Sequence, residues 1–332
     1  MALLAIILLV TGLNLAHLYT TTVATCKTHN DCSTAKSSFL LNDADLQTTL
    51  DVLVVVVPGI LGVFWAAPLI ARELETGTYR LAWTQSVTRT RWLAIKVGVV
   101  GLASMGVAGL LSLMVTWWSA PFGQVTINPF GSFDERDIVP VAYAAFAFAL
   151  GITMGTLTRR TVPAMAATAV GFVATRVAVI LWIRPNLNAP LQLTVPDTLF
   201  SGRASAGTPN PGDWITSDQT INAAGRVIGE NGIVGSGLRI GFGKTHGVTL
   251  SGVGSCPNLT IPPLPGSLRG PGPKGPLLLA QKCADQLGVR ELLTYQPAGR
   301  YWAFQWYELA IFIVFAIVLV AISFWWVRRR LA

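Results

Sequence analysis

Charge is what this chain has least of: only 12% of its 332 residues are Asp, Glu, Lys or Arg, about half the share of an ordinary soluble domain. That scarcity excludes a typical globular enzyme. Histidine is scarcer still, at 3 residues, and no grouping of His, Asp, Ser or Cys points to nucleophilic or acid–base catalysis. Nor is there a phosphate-binding loop. The segment "GSGLRIGFGKT", Gly235 to Thr245, has Leu238 where that motif requires its first glycine, and it reads as a glycine-rich turn. The basic residues outnumber the acidic by eight, yet in a chain this apolar such an excess indicates retained cytoplasmic loops before it indicates nucleic acid.

Long uncharged runs are what the chain has instead. With 52% hydrophobic residues and a mean hydropathy of +0.54, it offers six stretches long enough to cross a bilayer. They are 2–19, 52–71, 93–118, 138–157, 163–183 and 303–327. The first carries Asn14 and His17, and a signal peptide is its rival reading, opposed by the lack of a basic leading region and of a small-x-small cleavage site. The tryptophan pairs Trp117 with Trp118, Trp302 with Trp306 and Trp325 with Trp326 fall at span ends, as interfacial belts do.

Three basic groups border the runs: Arg72, Arg80, Arg89, Arg91 and Lys96; Arg159 and Arg160; and Arg328, Arg329 and Arg330. With six spans all three fall on one side, which places that side and both termini in the cytoplasm. Cys26 and Cys32, like Cys256 and Cys283, then fall outside, where two local disulfides are expected. A metal site at Cys26, His29 and Cys32 is the alternative, and it lacks a fourth ligand nearby.

Residues 184–302, rich in Gly and Pro, read as a small irregular extracellular domain. Strands are expected at "GVTL" and "LTI", and a helix at "PLLLAQKCADQLGV". "NLT" at Asn258 is a formal glycosylation sequon. Charged groups within spans are costly. Arg176 and Glu308, each several residues inside its span, are expected to meet as an interhelical ion pair. The glycine-rich runs of the third and fourth spans, "GVVGLASMGVAG" and "AYAAFAFALGITMG", predict close helix packing.

The segment 72–92, "RELETGTYRLAWTQSVTRTRW", concentrates charge between two apolar spans. It reads as a short amphipathic element across the mouth of two helices, with Glu73 and Glu75 suited to a helix N-terminus. The pattern from Arg72 to Arg89, with Lys96 opening the next span, resembles the segment after the second span in permeases of ABC type 2 transporters. In that family the segment includes a coupling helix that docks on an ATP-binding subunit. The resemblance implies an all-α protein of six transmembrane helices in a bacterial plasma membrane, the permease of an exporter for a small amphipathic compound. It further implies a second permease copy, a separate ATP-binding subunit that carries the ATP and Mg, and membrane lipids around the spans; this chain itself would hold no cofactor or metal.

Carried over, Arg72, Glu73, Glu75, Gly77, Thr78, Leu81, Thr84, Val87 and Arg89 would form the ATPase-docking surface. Arg159 and Arg160 would add a smaller contact. Phe64, Trp65, Phe172, Arg176 and Glu308 would border the translocation path. Family members usually begin with a basic amphipathic segment, whereas this sequence begins at "MALLAIILLV". A membrane receptor or sensor with a ligand-binding external domain is the competing function.

Overall fold

The computed structural model describes residues 2–23, 26, 32–42, 44–78, 88–126, 129–196, 210, 212–221, 223–225, 227–230, 248–250, 259–261 and 290–330. The chain divides into two compact units, Met1–Leu187 with Arg300–Ala332, and Asn188–Gly299.

The first unit is helical. Its elements are α1 (Ala2–Leu18), extended by a π-helical turn at Tyr19–Val23, α2 (Ser33–Asn42), α3 (Ala44–Ile60), α4 (Ala67–Thr76), α5 (Arg89–Trp118), α6 (Ala120–Thr126), α7 (Val139–Thr158), α8 (Thr161–Ala178) and α9 (Tyr301–Arg330). A π-helical turn at Leu61–Ala66 joins α3 to α4, and another at Val179–Ile183 extends α8. Six of the resulting helices are long and apolar enough to span a membrane.

The span α7 lies at the centre, packed against α3, α4, α5, α8 and α9. Its small residues are the reason. A Cβ added to Gly151 would come within 2.5 Å of Gly62 O, and one added to Gly155 within 2.8 Å of Ala67 O, so the backbones of α7 and α4 touch. Glycine and alanine allow such approach where lipid offers no hydrophobic drive. Around this centre, Ile70, Trp92, Leu93, Ile152 and Val327 join the ends of α4, α5, α7 and α9.

A second cluster forms where Leu15, Phe39, Leu50, Trp118 and Phe122 close α1, α2, α3, α5 and α6 together. There the Trp118 indole donates to Thr11 Oγ1 at 3.0 Å, and the Cys26–Cys32 disulfide closes the loop before α2. The helices α2 and α6 occupy connections that the charge pattern treats simply as loops. Phe39 and Phe122 are buried there, their rings 5.3 Å apart, and they fasten the two helices to each other.

The second unit holds strands among its described residues. Strands β1 (Leu191–Pro196), β2 (Trp214–Ile221), β3 (Val227–Glu230) and β6 (Arg290–Gln296) form an antiparallel sheet in the order β1-β6-β2-β3, and β4 (Val248–Leu250) pairs with β5 (Leu259–Ile261). The last two are the strands expected at "GVTL" and "LTI". The register between β2 and β6 breaks between Ile215 and Ser217, where Thr216 Oγ1 donates to Thr294 O at 3.0 Å. The expected helix at "PLLLAQKCADQLGV", with Cys256, Asn258 and Cys283, lies outside the described residues.

Candidate functional site

Segment 72–92 is not a separate element at its two ends. The helix α4 continues through Arg72, Glu73 and Glu75 until Gly77, whose φ of 75° gives a left-handed cap, and α5 already begins at Arg89 with Thr88 as its cap. Glu73 and Glu75 therefore sit at a helix C-terminus rather than the N-terminus expected of them. Carboxylates there oppose the helix dipole, and each is held by a partner from another helix. Glu73 forms an ion pair with Lys96 of α5, whose ammonium also reaches Leu69 O at 3.4 Å and lies over the Trp92 ring. Glu75 Oε2 accepts from the Thr161 backbone N–H at 2.9 Å and the Thr161 hydroxyl at 2.7 Å, capping α8. Arg72 and Thr78 are exposed, while Leu81, Thr84 and Val87 lie outside the described residues.

Further along the same continuous helix, α3 and its π turn face α8 across an apolar groove of about 540 Å³. Val56, Gly59, Phe64, Phe172 and Arg176 line it. Phe172 packs over Gly59, where a Cβ would come within 3.0 Å of its ring, whereas Phe64 stays 60% exposed. Trp65 is also exposed but is not part of the lining. Glu308 stands behind the groove, on α9, and meets Arg176 at 3.7 Å.

That contact belongs to a larger polar cluster. Arg184 grips Glu308 with two hydrogen bonds of 2.8 Å each, from Nε and Nη2, and also pairs with Asp134. Arg176 donates to Asp134 Oδ1 at 3.3 Å and stacks over the Tyr143 ring at 3.6 Å. The Tyr143 hydroxyl lies 2.6 Å from Glu308 and 2.8 Å from Asp134. Two cations and two anions thus cancel, which lowers the cost of burying them together inside the protein. Burial alone would raise the Asp134 carboxyl; the guanidiniums of Arg184 and Arg176 outweigh it and hold that group well below the usual carboxylate range.

Nearby, Glu135 behaves oppositely. Burial, a hydrogen bond to Asp51 and repulsion from Asp51 and Asp134 push it from 4.5 up to about 9. The folded chain thus keeps a proton that the unfolded chain releases above 4.5. The stability this contributes is full below that value and is lost as pH rises towards 9. We expect Glu135→Gln to flatten this part of the pH dependence of thermal unfolding; an unchanged slope would show that Glu135 is ionised in the fold.

Sequence reasoning named Arg176 and Glu308 but missed Asp134, Tyr143 and Arg184. Asp134 lies in a connection between spans and Arg184 at a span edge, where a charge reads as interfacial, and a buried tyrosine in an Ala-rich span carries no distinguishing pattern. Among the described residues no group of three or more His, Cys, Asp or Glu side chains could hold a metal.

Comparison with known families found one whose model, described as ABC-2 membrane transporter related, matches residues 1–184. No curated protein and no solved structure matched the chain.

Proposed function

The chain belongs to the ABC-2 membrane transporter related family, and on that premise we propose that it is the membrane-spanning permease of an exporter powered by a separate ATP-binding subunit. One observation carries the mechanism: a continuous helical path, 44–76, bears both the groove wall and the polar handle. A push on Arg72 to Thr78 by a closing ATPase dimer would be transmitted along that helix to Val56, Gly59 and Phe64. Through Glu73 and Glu75 it would also reach the first turns of α5 and α8. The groove would then change its opening, and the chain's contribution is conformational.

The groove's exposed Phe64 and apolar lining suit a second permease copy across the α3–α8 face, with the path for a small amphipathic compound between the two. The electroneutral cluster behind it gives no preference for a charged substrate. Charge and disulfide together support one orientation. The basic groups at Arg89, Arg159 and Arg328 share one side of a six-span chain, which is the cytoplasm by charge bias, and the Cys26–Cys32 bridge falls on the other, as oxidising conditions require.

The test is purification of the tagged chain from its native membranes in mild detergent, followed by ATP hydrolysis. An ATPase is expected to travel with the wild type. Glu73→Lys with Glu75→Lys should uncouple or release it, while Thr161→Ala, which removes one of the two bonds to Glu75, should keep the ATPase bound but weaken any stimulation of hydrolysis by transported compounds. A wild-type chain that carries no ATPase and hydrolyses nothing would overturn the reading, and the external unit would then be screened for ligands as a receptor.

A further inference from the structure

On another face of the bundle, α5, α7 and α9 enclose a second groove of about 400 Å³. It is lined throughout by apolar residues, among them Gly101, Met105, Ala145, Ala149, Ile317 and Ala321. It shares no lining residue with the α3–α8 groove. One end is marked by charge. Arg328 lies seven residues beyond Ala321 and eleven beyond Ile317, spacings that return to the same helix face. Val327, Trp92 and Leu93 belong to one buried cluster, so the ends of α9 and α5 meet there, and Arg328 and Arg91 each adjoin a member of that cluster in sequence. Both arginines are exposed, and among the described residues neither guanidinium meets a carboxylate. Beside them Arg329 lies over Trp325 at 5.5 Å, and Trp325 is itself half exposed, as an interfacial anchor is.

The depths agree with a lipid. At 1.5 Å per residue, Ala321 and Ile317 lie about 10 and about 17 Å from Arg328, which spans roughly one leaflet of a hydrocarbon core about 30 Å thick. We propose that this groove is a binding site for an anionic diacyl phospholipid, one acyl chain seated against Gly101, Ala149 and Ala321 and the phosphate held by Arg91 and Arg328. The chain supplies what such a molecule needs in the order it needs it: cations at headgroup depth and a smooth apolar trough beneath. A second copy of the chain fits less well. Two-fold symmetry would bring this border against its own equivalent and set Arg91 and Arg328 against their like.

Native mass spectrometry of the full chain, incubated with equal amounts of phosphatidylglycerol and phosphatidylcholine, tests this. Wild type should retain phosphatidylglycerol in preference. Each of Arg91→Gln and Arg328→Gln should lower that preference about fivefold, and Ala321→Trp, filling the trough, should lower retention of both lipids. Ala321→Leu replaces it where the tryptophan variant does not purify as a single species. Equal retention of the two lipids by wild type overturns the proposal, as does a preference indifferent to both arginines. A trough-filling variant that lowers the dimer fraction with lipid retention unchanged assigns the groove to a second copy instead. None of these results depends on the ATPase.

Discussion

Glu308→Ala is expected to be among the most destructive single substitutions in the transmembrane unit. Glu308 is fully buried and takes two hydrogen bonds from Arg184, one from Tyr143 and the charge of Arg176. Without it, two guanidiniums share only Asp134, and a buried cation is left uncompensated. Breaking a buried pair by removing one partner costs about 3–5 kcal/mol, a large part of the stability of an ordinary domain. Thermal unfolding in mild detergent and the monodisperse fraction on size exclusion measure it. Arg176→Ala should lower both by less, because Asp134, its nearer partner, is 23% exposed and keeps Arg184. If Glu308→Ala unfolds at the wild-type temperature, the cluster does not hold the bundle. If Arg176→Ala purifies normally but transports differently, Arg176 acts on the substrate in the groove instead.

The second large effect comes from adding atoms. At Gly151 a Cβ would meet Gly62 O at 2.5 Å, Ala66 Cβ at 2.7 Å and Ala67 N at 2.9 Å. Two of these are backbone atoms, which cannot rotate away as a flexible side chain does. Gly151→Ala should therefore cost about 1–3 kcal/mol through overpacking, and Gly151→Leu should prevent α7 from seating. Gly98 and Gly106 supply the control, since a Cβ at either meets nothing within 4 Å. Alanine there should be neutral or stabilise α5 by about 0.5–1 kcal/mol. A melting temperature unchanged by Gly151→Ala would mean that α4 and α7 are not in direct backbone contact.

These two cases show where the sequence is legible. Hydrocarbon thickness imposes a length on every span, so uncharged runs locate helices even without periodicity, and the six candidate spans follow those runs. Ends are harder to read, because a helix stops where a cap stops it and not where charge begins. The helix carrying Arg72, Glu73 and Glu75 runs on to Gly77 for that reason. Arg184 falls at the first residue assigned by sequence to the external domain, and Asp134 in a loop between spans. Nothing local in either position announces that the loop folds inward to meet α8 and α9. In the second unit, β6 alternates in burial, but its buried positions include Glu291 and Gln296 beside Leu293. Polar residues at the inward positions hide the alternation that marks a strand. The β4 and β5 runs show because their residues are mostly apolar or β-branched.

The π-helical turn at Leu61–Ala66 holds one residue more than an α turn of the same length. If that surplus were returned to α geometry, everything beyond it would rotate about the helix axis by roughly 100° and shift by about 1.5 Å. The residues beyond it are those of α4. Such a screw would swing Glu73 away from Lys96 and Glu75 away from Thr161. A push from the handle thus reaches Val56 and Gly59 along the helix only while the turn keeps its extra residue.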